Sequence, residues 1–116
     1  MFWQKRQNKY GSKSTIHAGK LYHSIKEANY AAELDLRVFA KDIKSWERQV
    51  PIELRVGEYK ICTYTIDFVV THNDLTKEYI EVKGFETREW RLKWKLFEAL
   101  YSDEFSKKDW KITLVK

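Results

Sequence analysis

The chain has 116 residues, 43% of them hydrophobic and 16% aromatic, which is expected to build one domain around a single core and argues against disorder. Lys and Arg number 22 against 17 Asp and Glu, and the resulting formal charge of +5 suits a polyanionic partner without requiring one. The single cysteine, Cys62, excludes an internal disulfide and a cysteine-based zinc cluster, and no apolar run approaches the ~20 residues that span a bilayer, so a cytoplasmic protein with no membrane partner is expected.

Residues 1–20 carry Lys5, Arg6, Lys9, Lys13 and Lys20 with two glycines and little periodicity. They read as an extended basic arm with Phe2, Trp3 and Tyr10 as candidate docking points. Such an arm is either a solvated tail or one whose lysines, Lys9 and Lys13 among them, follow phosphates. Ser24-Ile25-Lys26-Glu27 then fits a capping box, and good helix formers continue to about Ala40. Glu27, Ala31, Leu34 and Val38 share one face; Ala28, Ala32, Leu36 and Phe39 widen it, and Asp35 interrupts it. Glu27 therefore either completes the cap or stands at the edge of the buried side.

Asp42 to Lys44 is a short connection. From Trp46 to Val56 the chain alternates, with Val50, Ile52, Leu54 and Val56 on one face and Gln49, Glu53 and Arg55 on the other. Pro51 marks that strand as an edge or irregular one. Gly57-Glu58 turns into a long strand, Tyr59 to Val70, and the polar His72-Asn73-Asp74 separates it from Lys77–Val82 in a β-hairpin. Gly84 ends the third strand, and Thr87 caps a second helix over Arg88–Tyr101. That helix carries Leu92, Leu96 and Leu100 on one side of its apolar surface and Trp90, Trp94, Phe97 and Tyr101 on the other. Arg88, Arg91 and Lys95 form a basic stripe, whereas Lys93 falls in the apolar arc and must snorkel or aim its amine at buried negative charge. Lys107-Lys108-Asp109 reads as a loop before a closing strand, Trp110–Val115, of open direction. The fold class is α/β, a mixed sheet of about four or more strands flanked by helices.

A hairpin turn centred on Asp74 places Asp67 opposite Glu81 and Thr65 opposite Lys83. Directly opposed residues have Cβ atoms about 4.5–5.5 Å apart, and like charges there are destabilising. The arrangement is either a salt-bridged polar sheet face or a metal site. In the second case Asp67, Glu81 and the Val82 carbonyl can hold a hard cation such as Mg²⁺, with Glu27 as a third carboxylate and Lys83 beside the reacting phosphate. His17, His23 and His72 lack ligand spacing, and no phosphate loop or serine-nucleophile motif occurs.

Asp67 with Glu81-Val82-Lys83-Gly84 resembles the signature of PD-(D/E)XK nucleases. Over nearly the whole chain, the pattern is similar to a small phage-type family of that superfamily. It runs from Lys9-Tyr10-Gly11 through Ser24, Glu27-Ala28, Gln49-Val50 and Asp67-Phe68 to Thr87 and Leu92-Lys93-Trp94-Lys95-Leu96-Phe97. Ile66 stands where the motif's name has proline. The resemblance implies a restriction-endonuclease-like core and divalent-metal-dependent cleavage of DNA, with Mg²⁺ as cofactor and Mn²⁺ as substitute. It also implies kinship with Holliday junction resolvases. By position, Asp67 and Glu81 would be metal ligands, Lys83 the catalytic lysine and Glu27 the first-helix glutamate. Gln49 and Lys93 would match recurrent positions facing nucleic acid. The partners would be branched DNA and a second copy of the chain, since symmetric cutting of a four-way junction takes two sites. A phage-encoded protein would work in the bacterial host cytoplasm. Cleavage of flaps, ends or plain duplex shares the same site, and a non-catalytic DNA-binding module is the remaining alternative.

Overall fold

A computed structural model describes the backbone of residues 15–17 and 20–22 and the chain from residue 24 to residue 116. Strands β1 (Thr15–His17) and β2 (Lys20–Tyr22) pair as an antiparallel hairpin, so part of the expected extended arm is folded back on itself. Lys5, Arg6, Lys9, Lys13, Phe2, Trp3, Tyr10 and His23 lie outside the described residues.

The elements that follow are α1 (Ile25–Phe39), β3 (Ser45–Val56), β4 (Tyr59–Thr71), β5 (Lys77–Val82), α2 (Arg88–Lys107) and β6 (Lys111–Val115). Four strands form one mixed sheet in the order β3-β4-β5-β6. The first three are an antiparallel meander, and α2 is the crossover that returns the chain to lay β6 parallel to β5. β3 is an edge strand, the position where Pro51 is tolerated. The helix starts follow their capping residues. Ser24 Oγ accepts from the Glu27 N–H at 3.0 Å and Thr87 Oγ1 from the Trp90 N–H at 3.0 Å, bonds worth about 1 kcal/mol each.

Each face of the sheet is covered by one helix. Ala28, Ala31 and Leu34 of α1 pack on Phe68, Val70, Ile80 and Val82. Trp90, Trp94, Phe97 and Phe105 of α2 pack on Leu54, Tyr64, Ile66 and Val69. The second helix runs to Lys107 rather than stopping near Tyr101, because Phe105 is buried against Tyr79, with ring centroids 4.8 Å apart, and adds another turn to the contact. The apolar arcs expected from periodicity are too wide. Leu36, Phe39 and Leu92 are exposed at 70%, 76% and 70%, since a sheet covers only one side of a helix.

A second departure is central to the site. Ile66 and Phe68 are two apart in one strand, where alternation would put them on one face, yet they belong to opposite cores. β3 does the same, with Trp46 against the α1 core and Val50 and Ile52 in the α2 core. Both reversals fall between the pairs Arg48↔Phe68 and Val50↔Ile66, at Gln49 and Asp67. Gln49 has a φ of 51°, a left-handed conformation that breaks alternation and costs a non-glycine residue about 1–3 kcal/mol. Such strain persists only where the surroundings hold it in place.

Candidate metal and catalytic centre

The β4–β5 ladder follows the expected register from Thr71↔Lys77 to Phe68↔Ile80 and then stops. Asp67 and Glu81, next in line, do not form a ladder pair. The strands part there, and Asp67 Oδ2 accepts the N–H of Val82 at 2.9 Å. The expected Thr65–Lys83 pairing is likewise absent, because β5 ends at Val82 and the Lys83 N–H turns to the Val115 carbonyl at 2.8 Å. β6 thus draws the end of β5 away from β4. The opening is where the polar groups collect.

Three carboxylates are buried around this opening: Glu27 at 5% exposure, Asp67 at 9% and Glu81 at 3%. The Glu27 backbone N–H donates to the Ser24 cap. Its side chain turns inward, where Oε1 accepts from Gln49 Nε2 at 3.2 Å. The Gln49 side chain also lies close enough to Asp67 to favour its ionised form. The strained residue of β3 therefore holds Glu27 and stands beside Asp67.

Glu81 faces the α2 side. Its Oε1 accepts from the Tyr64 hydroxyl at 2.7 Å and its Oε2 from Trp90 Nε1 at 3.1 Å. Lys83, just past the end of β5, lies on the same side, with Nζ 3.5 Å from Glu81 Oε2 and 4.9 Å from the Trp90 ring centroid.

Burial and mutual repulsion leave these acids reluctant to ionise. Desolvation, then the charge of Glu27, raises the Asp67 carboxyl to about 7. Desolvation, then the charge of Asp67, raises Glu81 to about 7, and the two titrate as a pair. Glu27 is raised too, chiefly by burial, with the nearby Arg48 guanidinium acting against it. The same burial, reinforced by the Glu81 charge, pushes the Tyr64 phenol well above its ordinary range, so it stays a donor.

A cluster of buried acids can be relieved by protons or by a cation. Three oxygen donors of this kind suit a hard divalent ion such as Mg²⁺. Among the described residues, however, no three His, Cys, Asp or Glu side chains converge as a ready-made ligand cage. Each of the three acids is instead turned toward a donor of the protein itself: Gln49, Val82 N–H, or Tyr64 and Trp90.

The other expected residues lie around this centre. Arg88, Arg91 and Lys95 are exposed and line one groove with Leu92, Trp94 and Leu114. Lys93 does not aim its amine at buried charge. It pairs with Glu89 at 3.3 Å, on the wall of a cleft shared with Thr63, Thr65, Tyr64 and Trp90. His72 closes the hairpin turn and lies 3.1 Å from Glu78. Sequence reasoning missed Arg48, Tyr64 and Trp90. The last two were legible as core aromatics, and the available signal was that a buried phenol or indole needs a polar partner.

No helix among the described residues is long and apolar enough to cross a membrane. No curated protein and no solved structure matches the chain. A family model described as a protein of unknown function, DUF1064, matches residues 7–116, and the chain belongs to that family.

Proposed function

We propose that this protein is a divalent-metal-dependent DNA endonuclease of PD-(D/E)XK type, with a restriction-endonuclease-like core, acting on branched DNA as a junction resolvase. The observation that carries the reading is the burial of three carboxylates within electrostatic reach of one another, with a lysine beside Glu81, where β4 and β5 part. A polar sheet face kept only for solubility would leave these acids in water. Burying them together costs stability unless the charge is used.

Asp67 and Glu81 would hold the cation, with Glu27 behind them and the Val82 carbonyl as the fourth oxygen. When bound, Mg²⁺ supplies countercharge to the phosphodiester and acidifies water. The protein's own part is positional. The Val82 N–H fixes the Asp67 carboxylate, and Gln49, held in its left-handed conformation, fixes Glu27. Lys83, still partly open to solvent at 24% side-chain exposure, can place its ammonium against the charge that grows on phosphorus oxygens during attack. Arg88, Arg91 and Lys95 offer phosphate contacts beside the centre. Symmetric cutting of a four-way junction takes two such sites, so two copies act together.

The test compares a four-way junction, a flap and a linear duplex of matched sequence, each with Mg²⁺ and with chelator. Junction nicking in Mg²⁺ that disappears in Asp67→Ala and Glu81→Ala, with the fold retained, is the expected result. Preference for the flap or duplex would replace the resolvase assignment, and DNA binding without any cleavage would replace the nuclease.

A further inference from the structure

We infer that the groove along the basic side of α2 takes an unpaired nucleic-acid strand, with phosphates on Arg88, Arg91 and Lys95 and bases against Leu92 and Leu114. The inference rests on the nuclease reading above and names the part of a branched substrate that this surface holds. The charge pattern of α2 sets the three cations apart. Lys93, Lys107 and Lys108 each meet an acid one turn earlier, Glu89, Asp103 and Glu104, at 3.3, 3.7 and 3.3 Å. The side chains of Arg88, Arg91 and Lys95 have no ion-pair or hydrogen-bond partner among the described residues. One turn before Lys95 stands Arg91, and like charges at that spacing destabilise a helix. Arg88 opens the helix and Arg91 follows within a turn, at the end where the backbone dipole is already positive. Helix stability does not account for such a stripe. An anion laid along it does.

The groove beside the stripe has a volume of about 360 Å³ and a largely apolar lining. Leu92, 70% exposed, borders it together with Leu114 of β6 and Trp94. Its two acids are Glu86, paired with Lys116 at 3.1 Å, and Glu98, so its four cations leave it positive. A ligand that fits carries negative charge along about 10 Å of helix axis and apolar surface beside it. A duplex brings the charge but keeps its base faces stacked inside. An unpaired strand brings both, and because every base has an apolar face the fit needs no particular sequence. Trp90 joins the groove to the buried acids, since it lines the groove and its Nε1 donates to Glu81 Oε2 at 3.1 Å. An acidic amphipathic protein segment would match the charge, but nothing in it calls for a place beside that centre. A branch point is where a duplex yields an unpaired strand.

The test measures fluorescence anisotropy of a labelled mixed-sequence single strand and of the matching duplex, in chelator so that neither is cut. It uses the full chain, Leu92→Gln, which keeps a good helix former at an exposed position, and Arg91→Ala. The parent should bind the strand about tenfold or more tighter than the duplex. Leu92→Gln should bring that ratio close to one with the melting temperature unchanged, because burying a leucine is worth about a decade in affinity. Arg91→Ala should weaken the strand complex and lower its salt slope by about 0.7. Equal affinity of the parent for strand and duplex, or a ratio untouched by Leu92→Gln, overturns the groove assignment, and junction cleavage in Mg²⁺ by the same preparation leaves the nuclease standing. An acidic amphipathic peptide that binds where the strand does not gives the groove to a protein partner and overturns the assignment as well. Strand binding with the expected variant effects but no cleavage of any DNA keeps the groove and overturns the nuclease.

Discussion

Asp67→Asn should make the cation-free protein more stable above neutral pH, although it changes a buried residue of the centre. The substitution keeps an acceptor for the Val82 N–H and removes the charge. Burial and Glu27 raise the Asp67 carboxyl from 3.8 to about 7, so the folded protein holds a proton that the unfolded chain releases. The associated stability is fully present below about pH 4 and is lost as pH rises to about 7. At 1.36 kcal/mol per pH unit the whole interval amounts to about 4 kcal/mol. Glu81 shares the titration, and the asparagine amide carries its own cost of burial, so about half of that should be recovered. About 2 kcal/mol corresponds to roughly 6–10 °C in a domain of this size. Thermal unfolding followed by circular dichroism in chelator, from pH 4 to pH 8.5, measures the gap directly. Parent and variant should melt alike near pH 4 and diverge up to about pH 7. A variant that melts at or below the parent at pH 8, or a gap that does not change with pH, would refute the crowded-acid account.

Two further outcomes are expected. Replacing Arg88, Arg91 or Lys95 by alanine should weaken DNA binding uniformly across sequences and lower the salt slope of log affinity by about 1 per residue; an unchanged slope removes that residue from the phosphate contacts. Phe97, with no exposed surface and five neighbouring rings, should cost about 3–5 kcal/mol when cut to alanine, read as a lower urea midpoint.

Much of the site could be read before any coordinates because its placement follows from local rules. The turn at Asp74 closes on itself, its carboxylate accepting from the Thr76 N–H at 3.0 Å, and this sets the register that brings the Asp67 and Glu81 positions to the same level. Ser24 fixes the start of α1, which leaves Glu27 one turn in. The side of each helix that faces the sheet was less legible. Periodicity ranks Leu36, Phe39 and Leu92 with the core, but burial depends on how much of the helix the sheet reaches. Lys93 looked anomalous for the same reason and turned out to be paired with Glu89 at the surface.

From the sequence alone came the order of elements from α1 to β6 and the hairpin register next to the turn, because these rest on turn chemistry, capping and alternation within a few residues. Tertiary structure decided the rest. β6 pairs parallel to β5 and takes the Lys83 N–H, so the β4–β5 ladder opens at Asp67. Gln49 adopts a left-handed backbone where β3 switches between cores, and β4 switches beside it at Asp67. Tyr64 and Trp90, distant in sequence from each other, close on Glu81 only when α2 packs against β4. Local propensity has no access to these contacts, since each depends on which surface another element happens to cover.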